Sequence, residues 1–519
     1  MYNLNYDAHK LLAELDRPAM STTAYDTAWL AQVPNETEAA SHDFPRALEW
    51  LRDQQHGAGC WGSQLVHYHD RVISTLNAVI ALTEYGAEEG DAEAIRRGET
   101  SLQRNALHLD RDVYETVGFE LILPTLLKKA QLLDLKLPYA ELTRYQSLRD
   151  EKLRLIPPSF IYSRNATTAH SLEFLGDELE VQRLDDLQEA NGSFGHSPSA
   201  TAYLVSQCQA NDTAQQHFDN AAARRYLTSV SNVTGGAAMP LHSVEIFDTS
   251  WVLYNLELAN HYANLNGDLT ARLESLRQAW TDKQGLGFSH DYSVPDLDDT
   301  AVVFKLLRRA GYAVDPTVFL NYERDGHFIC FPFERNPSVG VNVHLLDALQ
   351  TCPDWEHQPR MVEKILGFLR RSRLEDAYWH DKWHISPYYI TSHAVIATMN
   401  CAKELAQDAV QWMLKTQRPD GSWGFYQPTA EETAYCLQAL AAYQREGGSI
   451  EWGVLDRAAE FVYRHYQAEA FPAMWIDKAL YTPEHIVRST LISALSMYGA
   501  LSRARRASKT AEDRGAPGI

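Results

Sequence analysis

A short recurring motif is the feature that most limits the folds open to this chain. In each copy a Gln precedes a Gly by four positions, and an aromatic residue and a second Gly follow. Gly permits a tight turn, an aromatic ring can pack over that turn, and a Gln amide can bond the exposed backbone. We therefore interpret the motif as a connection between helices and not as a catalytic group. The clear copies are Gln55-Gly59-Trp61-Gly62, Gln188-Gly192-Phe194-Gly195 and Gln417-Gly421-Trp423-Gly424.

The segments between these motifs have helical periodicity. Apolar residues recur at spacings of three and four, as in Ala434, Leu437, Leu440 and Ala441, whereas alternating strand-like runs are scarce. Repeated helical pairs of irregular spacing favour an α-barrel over a regular solenoid. The 519 residues exceed one comfortable core, and 45% of them are hydrophobic. The sequence therefore predicts an all-α protein with two domains.

Charge and cysteine content argue against several classes of function. The chain carries 47 Lys and Arg against 68 Asp and Glu, a formal net charge of -21. Nucleic acid is therefore not an expected partner, and an anionic substrate would need a local basic pocket or bridging metal ions. The six cysteines lack CxxC pairs, which supports neither a zinc knuckle nor a disulfide framework and favours a reducing cytoplasm. We predict no signal peptide and no membrane span.

One acidic cluster carries the strongest chemical signal. Asp296, Asp298 and Asp299 lie within four positions, directly before a segment with helical apolar spacing. Carboxylates this close cannot all ionise at low cost, so one of them can hold a proton near neutral pH, as a general acid requires. The alternative is an ordinary helix N-terminus, which favours Asp and stabilises carboxylate anions. The sequence leaves both interpretations open.

Together these features resemble the class II terpene cyclases, specifically the class II diterpene cyclases. The resemblance covers most of the chain, and it depends on the order of several short segments as well as on the repeat and the acidic cluster. These segments are Ser21-Thr22-Thr23-Ala24-Tyr25-Asp26-Thr27-Ala28-Trp29, Val117-Gly118-Phe119-Glu120, Glu151-Lys152-Leu153 before Ile156-Pro157, His170-Ser171-Leu172-Glu173, Ser197-Pro198-Ser199-Ala200-Thr201-Ala202 and Asp381-Lys382-Trp383.

Within this family the chain is most similar to the bacterial halimadienyl (tuberculosinyl) diphosphate synthases, and it also resembles kolavenyl and copalyl diphosphate synthases. The bacterial similarity lies in Lys382-Trp383-His384 with Tyr388-Tyr389, and in residues 417–425 and 431–435. One position differs. The halimadienyl subgroup ends its acidic motif in Thr, whereas this chain has Asp299, as the wider family does.

The family architecture implies two α-barrels, named β and γ, with γ inserted into β and no α domain of the class I type. On this chain γ would comprise residues 44–240 and β would comprise residues 1–43 and 241–502, with the active site between them. Residues 503–519 are polar and rich in Gly, Pro and Ala, which predicts a flexible C-terminal tail.

The resemblance implies protonation of geranylgeranyl diphosphate and cyclisation to a bicyclic diphosphate. Asp298 would be the acid, Asp296 and Asp299 would hold and tune its carboxyl group, and Asn342 would donate a hydrogen bond to it. His170 matches a histidine that takes part in the final proton loss. The alternative for Asn342 is a purely structural role, because an interior Asn often only satisfies hydrogen bonds between packed elements.

The segment that would accompany His170 differs from the family pattern. Residues 235–240 lack the Asn that works with this histidine in plant copalyl-type enzymes. This difference leaves room for hydride and methyl shifts before proton loss. We therefore expect a rearranged halimane or clerodane product such as kolavenyl diphosphate, with copalyl diphosphate as the alternative.

The same resemblance assigns groups that would bind the substrate. Lys152 and Lys382 would approach the diphosphate, although isolated lysines are usually solvated. Asp110, Asp112 and Glu115 would hold Mg²⁺, with a spacing that differs from the plant pattern, and a solvated loop is the alternative. Electron-rich rings would surround the carbocations, and we expect only a minority of the candidates to touch substrate. The candidate rings are Trp379, Trp383, Tyr388, Tyr389, Phe425, Tyr426 and Trp475.

Four other interpretations stay open. Asp185 and Asp186 resemble metal-binding carboxylates of class I synthases, but no second metal motif follows. A squalene-type cyclase shares the acidic cluster and the aromatic motif, and a toroidal glycosidase would take paired acids from separated segments. A catalytically silent isoprenoid-binding scaffold is the alternative from a different class. For an active cyclase, a class I terpene synthase that consumes the product is an expected partner.

Overall fold

The computed structural model describes residues 3–36, 41–210 and 216–515 of the chain. Helices dominate these residues, and one short hairpin is the paired-strand element among them. The helices are α1 (Leu4–Glu14), α2 (Ala24–Ala31), α3 (Pro45–Asp53), α4 (Tyr68–Tyr85), α5 (Asp91–Asn105), α6 (Phe119–Leu132), α7 (Tyr139–Leu142), α8 (Arg144–Leu155), α9 (Pro158–Ile161), α10 (Pro198–Ala210), α11 (Asn220–Thr234), α12 (Glu245–Leu258), α13 (Asn266–Ala279), α14 (Leu297–Arg309), α15 (Val339–Leu349), α16 (Gln358–Ser372), α17 (Pro387–Thr398), α18 (Lys403–Thr416), α19 (Ala430–Arg445), α20 (Trp452–His465) and α21 (Glu484–Gly515). The hairpin pairs β1 (Trp475–Ile476) with β2 (Leu480–Tyr481) in an antiparallel register.

Six helices form a closed inner ring. Each contacts the next in the order α12, α14, α15, α17, α19 and α21, and α21 returns to α12. The outer helices α13, α16, α18 and α20 pack against this ring. Burial separates the two layers: every residue of α15 is buried, whereas α16 buries only Met361, Ile365, Leu366 and Leu369. This is the pattern of an inner helix surrounded by protein and an outer helix with one apolar stripe.

A second closed ring forms around a separate hydrophobic core. It consists of α2, α4, α6, a 3₁₀ segment (Thr167–Glu178) and α10, which contacts α2. The predicted all-α fold with two barrels is thus confirmed. The predicted boundary at residue 43 would place α2 in the β domain. Because α2 packs between α4 and α10, the contacts instead place it in the inserted ring.

The repeated motif joins helices in the expected way. The Gln417 amide donates to the carbonyl of Gly421 in its own turn and to the carbonyl of Val454 in α20, and Gln55 and Gln188 make the equivalent pairs. The Trp423 indole donates to the carbonyl of Met413, ten residues earlier. Each motif therefore fixes its turn to an element beyond the following helix: the turn after α18 bonds α20, and the turn after α3 bonds α5.

The C-terminus differs from the expected flexible tail. Helix α21 continues to Gly515, and residues 516–519 lie outside the described residues. Alanines and arginines in residues 503–507 favour helix, which explains the extension. No helix in the described part of the chain combines the length and hydropathy that crossing a membrane requires.

Candidate active site

The acidic cluster forms the start of α14. Asp296 caps this helix, and its carboxylate accepts a 2.8 Å hydrogen bond from the backbone N–H of Asp299. Asp296 and Asp299 are buried, whereas the side chain of Asp298 is 20% exposed. The helix-cap interpretation therefore applies to Asp296, and it leaves Asp298 as the member of the cluster that reaches open space.

Burial governs the protonation of the two enclosed carboxyls. Burial raises the pKa of Asp296, and the hydrogen bond from Asp299 opposes this only in part. Burial and then the negative charges of Asp296 and Asp298 raise the pKa of Asp299 well above the usual range. One oxygen of Asp299, Oδ1, is buried without a hydrogen-bond partner. Two neighbours of Asp298 are therefore biased toward their neutral forms, which lowers the negative charge around it.

Two histidines form a chain of contacts that begins at Asp298. The ring Nδ1 of His344 lies 2.6 Å from Asp298 Oδ1, and its Nε2 lies 2.7 Å from Nδ1 of His393. Burial lowers the pKa of His393 well below that of free histidine, so this ring is neutral. Trp251 packs edge-on against His344 with ring centroids 4.7 Å apart. Neither histidine was among the predicted residues, and only the contact between α14 and α15 brings His344 to the acid.

The structure corrects the predicted partner of Asp298. The amide of Asn342 donates to the carbonyls of Phe328 and Ser338 and accepts from the N–H of Phe328. These three bonds orient the amide toward the backbone of a preceding loop. The predicted hydrogen bond from Asn342 to Asp298 is therefore wrong, and His344, two residues later on α15, makes the contact.

Asp298 opens into a cavity that we call the acid cavity. Its volume is about 100 Å³, and the three aspartates lie on its wall. Aromatic rings form most of the opposing surface, which suits a cationic intermediate because their faces are electron-rich. The rings are Phe247, Phe288, Phe331, Trp383, Trp475 and Tyr481.

A second cavity, which we call the cation cavity, lies beside the first. Its volume is about 290 Å³, and it is lined by Lys152, Lys382 and Arg335 together with several carboxylates. Both cavities share Leu241, Phe288, Phe331 and Trp383 in their walls. The shared residues make the two cavities direct neighbours, so the cations and Asp298 lie on either side of one apolar wall.

The cations of this cavity are already paired. Lys152 donates to the carbonyl of Phe333 over 2.9 Å, and burial lowers its pKa. Lys382 lies 2.6 Å from a carboxylate oxygen of Glu334. Arg335, which was not among the predicted residues, bonds Glu115 over 3.0 Å. The two predicted lysines thus lie in one cavity, and a third cation joins them.

His170 lies on the wall of the cation cavity with an unexpected partner. Its Nε2 is 3.0 Å from Oδ1 of Asp477, which lies in the turn between β1 and β2. Burial opposes ionisation of Asp477, but the charges of His170 and Lys478 hold its pKa below the usual range. Asp477 carries no local sequence signal, since it lies 307 residues from His170 along the chain.

Few of the predicted aromatic rings reach these cavities. Trp383 lines both and Trp475 lines the acid cavity, whereas Phe425 and Tyr426 are 45% and 37% exposed and line neither. Trp379 is wholly buried, and its indole donates to the carbonyl of Leu369, as Trp423 does to Met413. Its predicted contact with substrate is therefore wrong, because it is a further helix-joining tryptophan.

The two predicted tyrosines also lie outside both cavity walls. Tyr388 packs against Trp412, with ring centroids 4.7 Å apart. Tyr389 packs against His393 at the same separation and is buried. Tyr389 therefore supports the histidine pair, and neither ring forms part of the described cavity surface.

The predicted Mg²⁺ ligands do not converge. Asp110 is exposed, Asp112 turns inward to His69, and Glu115 pairs with Arg335. Among the described residues, these three offer no set of ligand atoms within 4.8 Å of one another. The three predicted carboxylates therefore do not form one site in this structure, and Glu115 is the member that lies on the cavity wall.

Two helical barrels, an acidic cluster in an aromatic cavity and cations in an adjacent cavity are the features of a terpene cyclase of class II. Comparison with known proteins agrees, since residues 333–439 match the squalene-hopene cyclase C-terminal domain. The "Type B diterpene cyclase" of Mycobacterium tuberculosis is 35% identical over 499 residues, which cover 92% of this chain and 96% of that protein. The chain belongs to the class II diterpene cyclase family, and it is an enzyme of that class.

A solved structure and a plant sequence are further relatives. The solved ent-copalyl diphosphate synthase from Streptomyces platensis is 28% identical with a TM-score of 0.77, covering 96% of this chain and all of that one. Chloroplastic ent-copalyl diphosphate synthase 1 of Oryza sativa subsp. japonica is 31% identical across 84% of this chain. The chain spans about half the length of that plant relative, 51% of which is covered.

Proposed function

We propose that this enzyme cyclises geranylgeranyl diphosphate to a bicyclic diterpenyl diphosphate by proton transfer from Asp298. One observation carries the proposal: the carboxyl group bonded to His344 faces an aromatic cavity that shares its wall with the cavity of Lys152 and Lys382. An isoprenoid diphosphate needs an acid at its alkene end and cations at its other end. This arrangement offers both.

The proposed reaction begins at the Asp298 carboxyl group. Its O–H bond breaks as the proton adds to the terminal alkene, and π electrons of the chain then form the ring bonds as the cation moves. His344 can donate to the carboxylate that remains, which stabilises the charge left on Asp298. Neighbouring Asp296 and Asp299, biased toward their neutral forms, add little repulsion to that charge.

The diphosphate end would bind in the cation cavity. Lys152, Lys382 and Arg335 can exchange their present partners for phosphate oxygens. Glu115, Glu120 and Glu334 on the same wall are hard oxygen donors, which fits an Mg²⁺ ion that keeps water and phosphate ligands. When bound, this ion would neutralise diphosphate charge, and the reaction at Asp298 requires no contact with it.

We propose a rearranged halimane or clerodane product such as kolavenyl diphosphate. Residues 235–240 contain no amide side chain, and the backbone of Ala238 in this segment bonds Thr23 and Thr27. His170 instead pairs with Asp477. Without a water held by an amide next to the first bicyclic carbocation, hydride and methyl shifts can precede loss of the final proton. The solved copalyl relative favours copalyl diphosphate as the second candidate.

The deciding experiment incubates the purified protein, and its Asp298→Asn variant, with geranylgeranyl diphosphate and Mg²⁺. Phosphatase treatment followed by mass spectrometry and NMR identifies the resulting alcohol. We expect a bicyclic alcohol from the parent only, and its carbon skeleton separates the rearranged product from the copalyl type. Unchanged geranylgeraniol from both proteins would contradict the proposal.

The same assay separates the remaining candidates. A squalene-type cyclase would convert squalene and would show no dependence on Lys152, Lys382 or Mg²⁺. A silent scaffold would bind the prenyl diphosphate and change none of it. For the active enzyme we further propose a cytoplasmic location and a class I terpene synthase that consumes the product.

A further inference from the structure

A cluster of two histidines and one aspartate lies outside the cyclisation site. It joins His67 and His69 at the start of α4 to Asp112, which follows a 3₁₀ turn (Ala106–Arg111). Asp112 Oδ2 lies 2.7 Å from Nδ1 of His69 and 3.5 Å from Nδ1 of His67. The three side chains are 2–3% exposed. Within the described ranges, they form the single group of three potential ligands whose ligand atoms all lie within 4.8 Å of one another.

The opposite side of each imidazole is already anchored. Nε2 of His67 lies 3.1 Å from the carbonyl of Tyr114, and Nε2 of His69 lies 3.1 Å from the hydroxyl of Tyr145. The Tyr114 carbonyl accepts an N–H, so Nδ1 of His67 carries a lone pair, which accepts the N–H of Asp70. The Tyr145 hydroxyl can accept from Nε2 of His69, and in that tautomer the Nδ1 lone pair of His69 would be directed toward Asp112. Metal-binding histidines have this arrangement, in which the second ring nitrogen donates to a carbonyl or another acceptor.

We propose that His67, His69 and Asp112 bind one divalent transition metal ion of the Zn²⁺ type. Two imidazoles and a carboxylate suit Zn²⁺, whereas Mg²⁺ prefers oxygen ligands, so this site is distinct from any ion that accompanies the diphosphate. The ion would replace the hydrogen bond between Asp112 and the His69 ring. It would also replace the long 3.3 Å bond from the N–H of Asp70 to His67.

The position of the site gives the ion a structural role. Tyr114, whose carbonyl holds His67, lines the cation cavity together with Glu115 and Thr116. Phe119 and Tyr145 pack against the His69 ring at centroid distances of 4.6 and 6.4 Å. An ion here would join the start of α4 to the segment that leads into the cavity wall. Because the ligands are buried, the ion would enter during folding.

Metal analysis of the full chain, purified without a polyhistidine tag after growth with Zn²⁺, tests the proposal. After desalting, we expect about one Zn²⁺ per chain in the parent. The same content is expected in Asp110→Asn, a matched change of an exposed carboxylate two residues away. Asp112→Asn and His69→Gln should lose the ion. The parent should also unfold at a lower temperature after refolding in a chelator than after refolding with Zn²⁺.

A second measurement uses only the parent protein, so it tests the proposal even if the variants fail to fold. Refolding with Co²⁺ should give the visible d–d absorption of a four-coordinate ion without a thiolate charge-transfer band, because the site has no cysteine. Excess Mg²⁺ should leave this spectrum unchanged. Parent protein that contains no zinc, gives no Co²⁺ spectrum and has the same thermal midpoint with and without chelator would overturn the proposal. The cluster would then be a hydrogen-bonded helix cap only.

Discussion

At the residue scale, the contact between Asp298 and His344 decides how the acidic cluster can act. Two of its three carboxyls are enclosed, and Asp298 alone combines exposure to the cavity with a histidine 2.6 Å away. In the proposed reaction, a donor at this oxygen would stabilise the carboxylate that proton transfer leaves behind. His344 is therefore expected to affect the chemical step more than substrate binding.

Replacing His344 by Phe tests this role. The aromatic ring keeps the packing against Trp251 but removes the donor, so we expect kcat to fall by about 10²-fold or more while KM changes little. Steady-state kinetics with geranylgeranyl diphosphate measures both constants. Asn342→Ala is the contrasting variant. It removes three bonds to the backbone and should lower the free energy of unfolding by about 3 kcal/mol. A rise in KM alone in His344→Phe would contradict the assignment.

Asp26 is expected to make stability depend on pH. Burial raises its pKa to about 6, against the opposing charge of Lys478, and its Oδ1 has no hydrogen-bond partner. The folded state therefore binds a proton more tightly than the unfolded chain does. The stabilisation from this group is complete below about pH 3.8, its ordinary pKa, and is lost as the pH rises through about 6.

The Asp26→Asn variant isolates that contribution. In the parent, titration of Asp26 should lower the free energy of unfolding by about 2 kcal/mol as the pH rises from about 4.5 to about 7.5. The variant should lack this part of the pH dependence. Urea unfolding of both proteins at several pH values measures the difference. Parallel pH profiles for parent and variant would show that Asp26 does not titrate in this range.

At the scale of the helix, close backbone approach explains the glycines of the repeat. Gly421 has a φ of +88°, and a Cβ there would lie 2.5 Å from the backbone of Arg457 in α20. Gly59 and Gly192 meet the backbones of Arg97 and Ala222 at 2.6 and 2.5 Å in the same way. The motif therefore fixes the distance between its turn and a helix farther along the chain, as well as the turn itself.

Two glycine variants separate steric crowding from backbone conformation. Gly447 has a similar φ of +92°, but a Cβ there meets nothing within 4 Å. Gly447→Ala should cost about 1 kcal/mol for the left-handed backbone. Gly421→Ala should cost about 1–3 kcal/mol more, because α20 must also move. Chemical denaturation gives both values, and equal costs would mean that the contact with Arg457 is unimportant.

At the scale of the whole molecule, the β1–β2 hairpin connects the two barrels. Trp475 and Tyr481 belong to the core of the six-helix ring that contains α12 and α21. Ala479 in the turn belongs to the core of the second ring, which contains α2 and α4. Beside it, Lys478 is wholly buried and bonds Glu173, the carbonyl of His170 and Ser197. This buried ion pair couples the positions of the barrels and of Asp477.

Replacing Lys478 by Met tests the coupling. The change leaves Glu173 as a buried unpaired charge, so we expect the free energy of unfolding to fall by about 3–5 kcal/mol. The two barrels should then unfold in separate steps. Urea titrations monitored by tryptophan fluorescence and circular dichroism measure these transitions. Lys478→Met with Glu173→Leu should recover part of the loss. A single transition with unchanged midpoint in Lys478→Met would contradict the coupling.

The sequence by itself determined the features that depend on near neighbours. Helical periodicity, the Gln-Gly-aromatic turns and the cap at Asp296 involve residues a few positions apart, so one chain displays them directly. The same locality made Asp296, Asp298 and Asp299 recognisable as one cluster. The order of short motifs then indicated the family, and with it the lysines of the cation cavity.

Only the tertiary structure decided which groups meet across the barrels. Asp298 and His344 lie 46 residues apart, and His170 and Asp477 lie 307 apart, so no local pattern marks either pair. Asn342 and Trp379 had the residue types expected of a site, but ring closure turned both toward backbone partners. Side-chain direction in a closed helical ring depends on the neighbouring helices, and that information is absent from the spacing of residues along one helix.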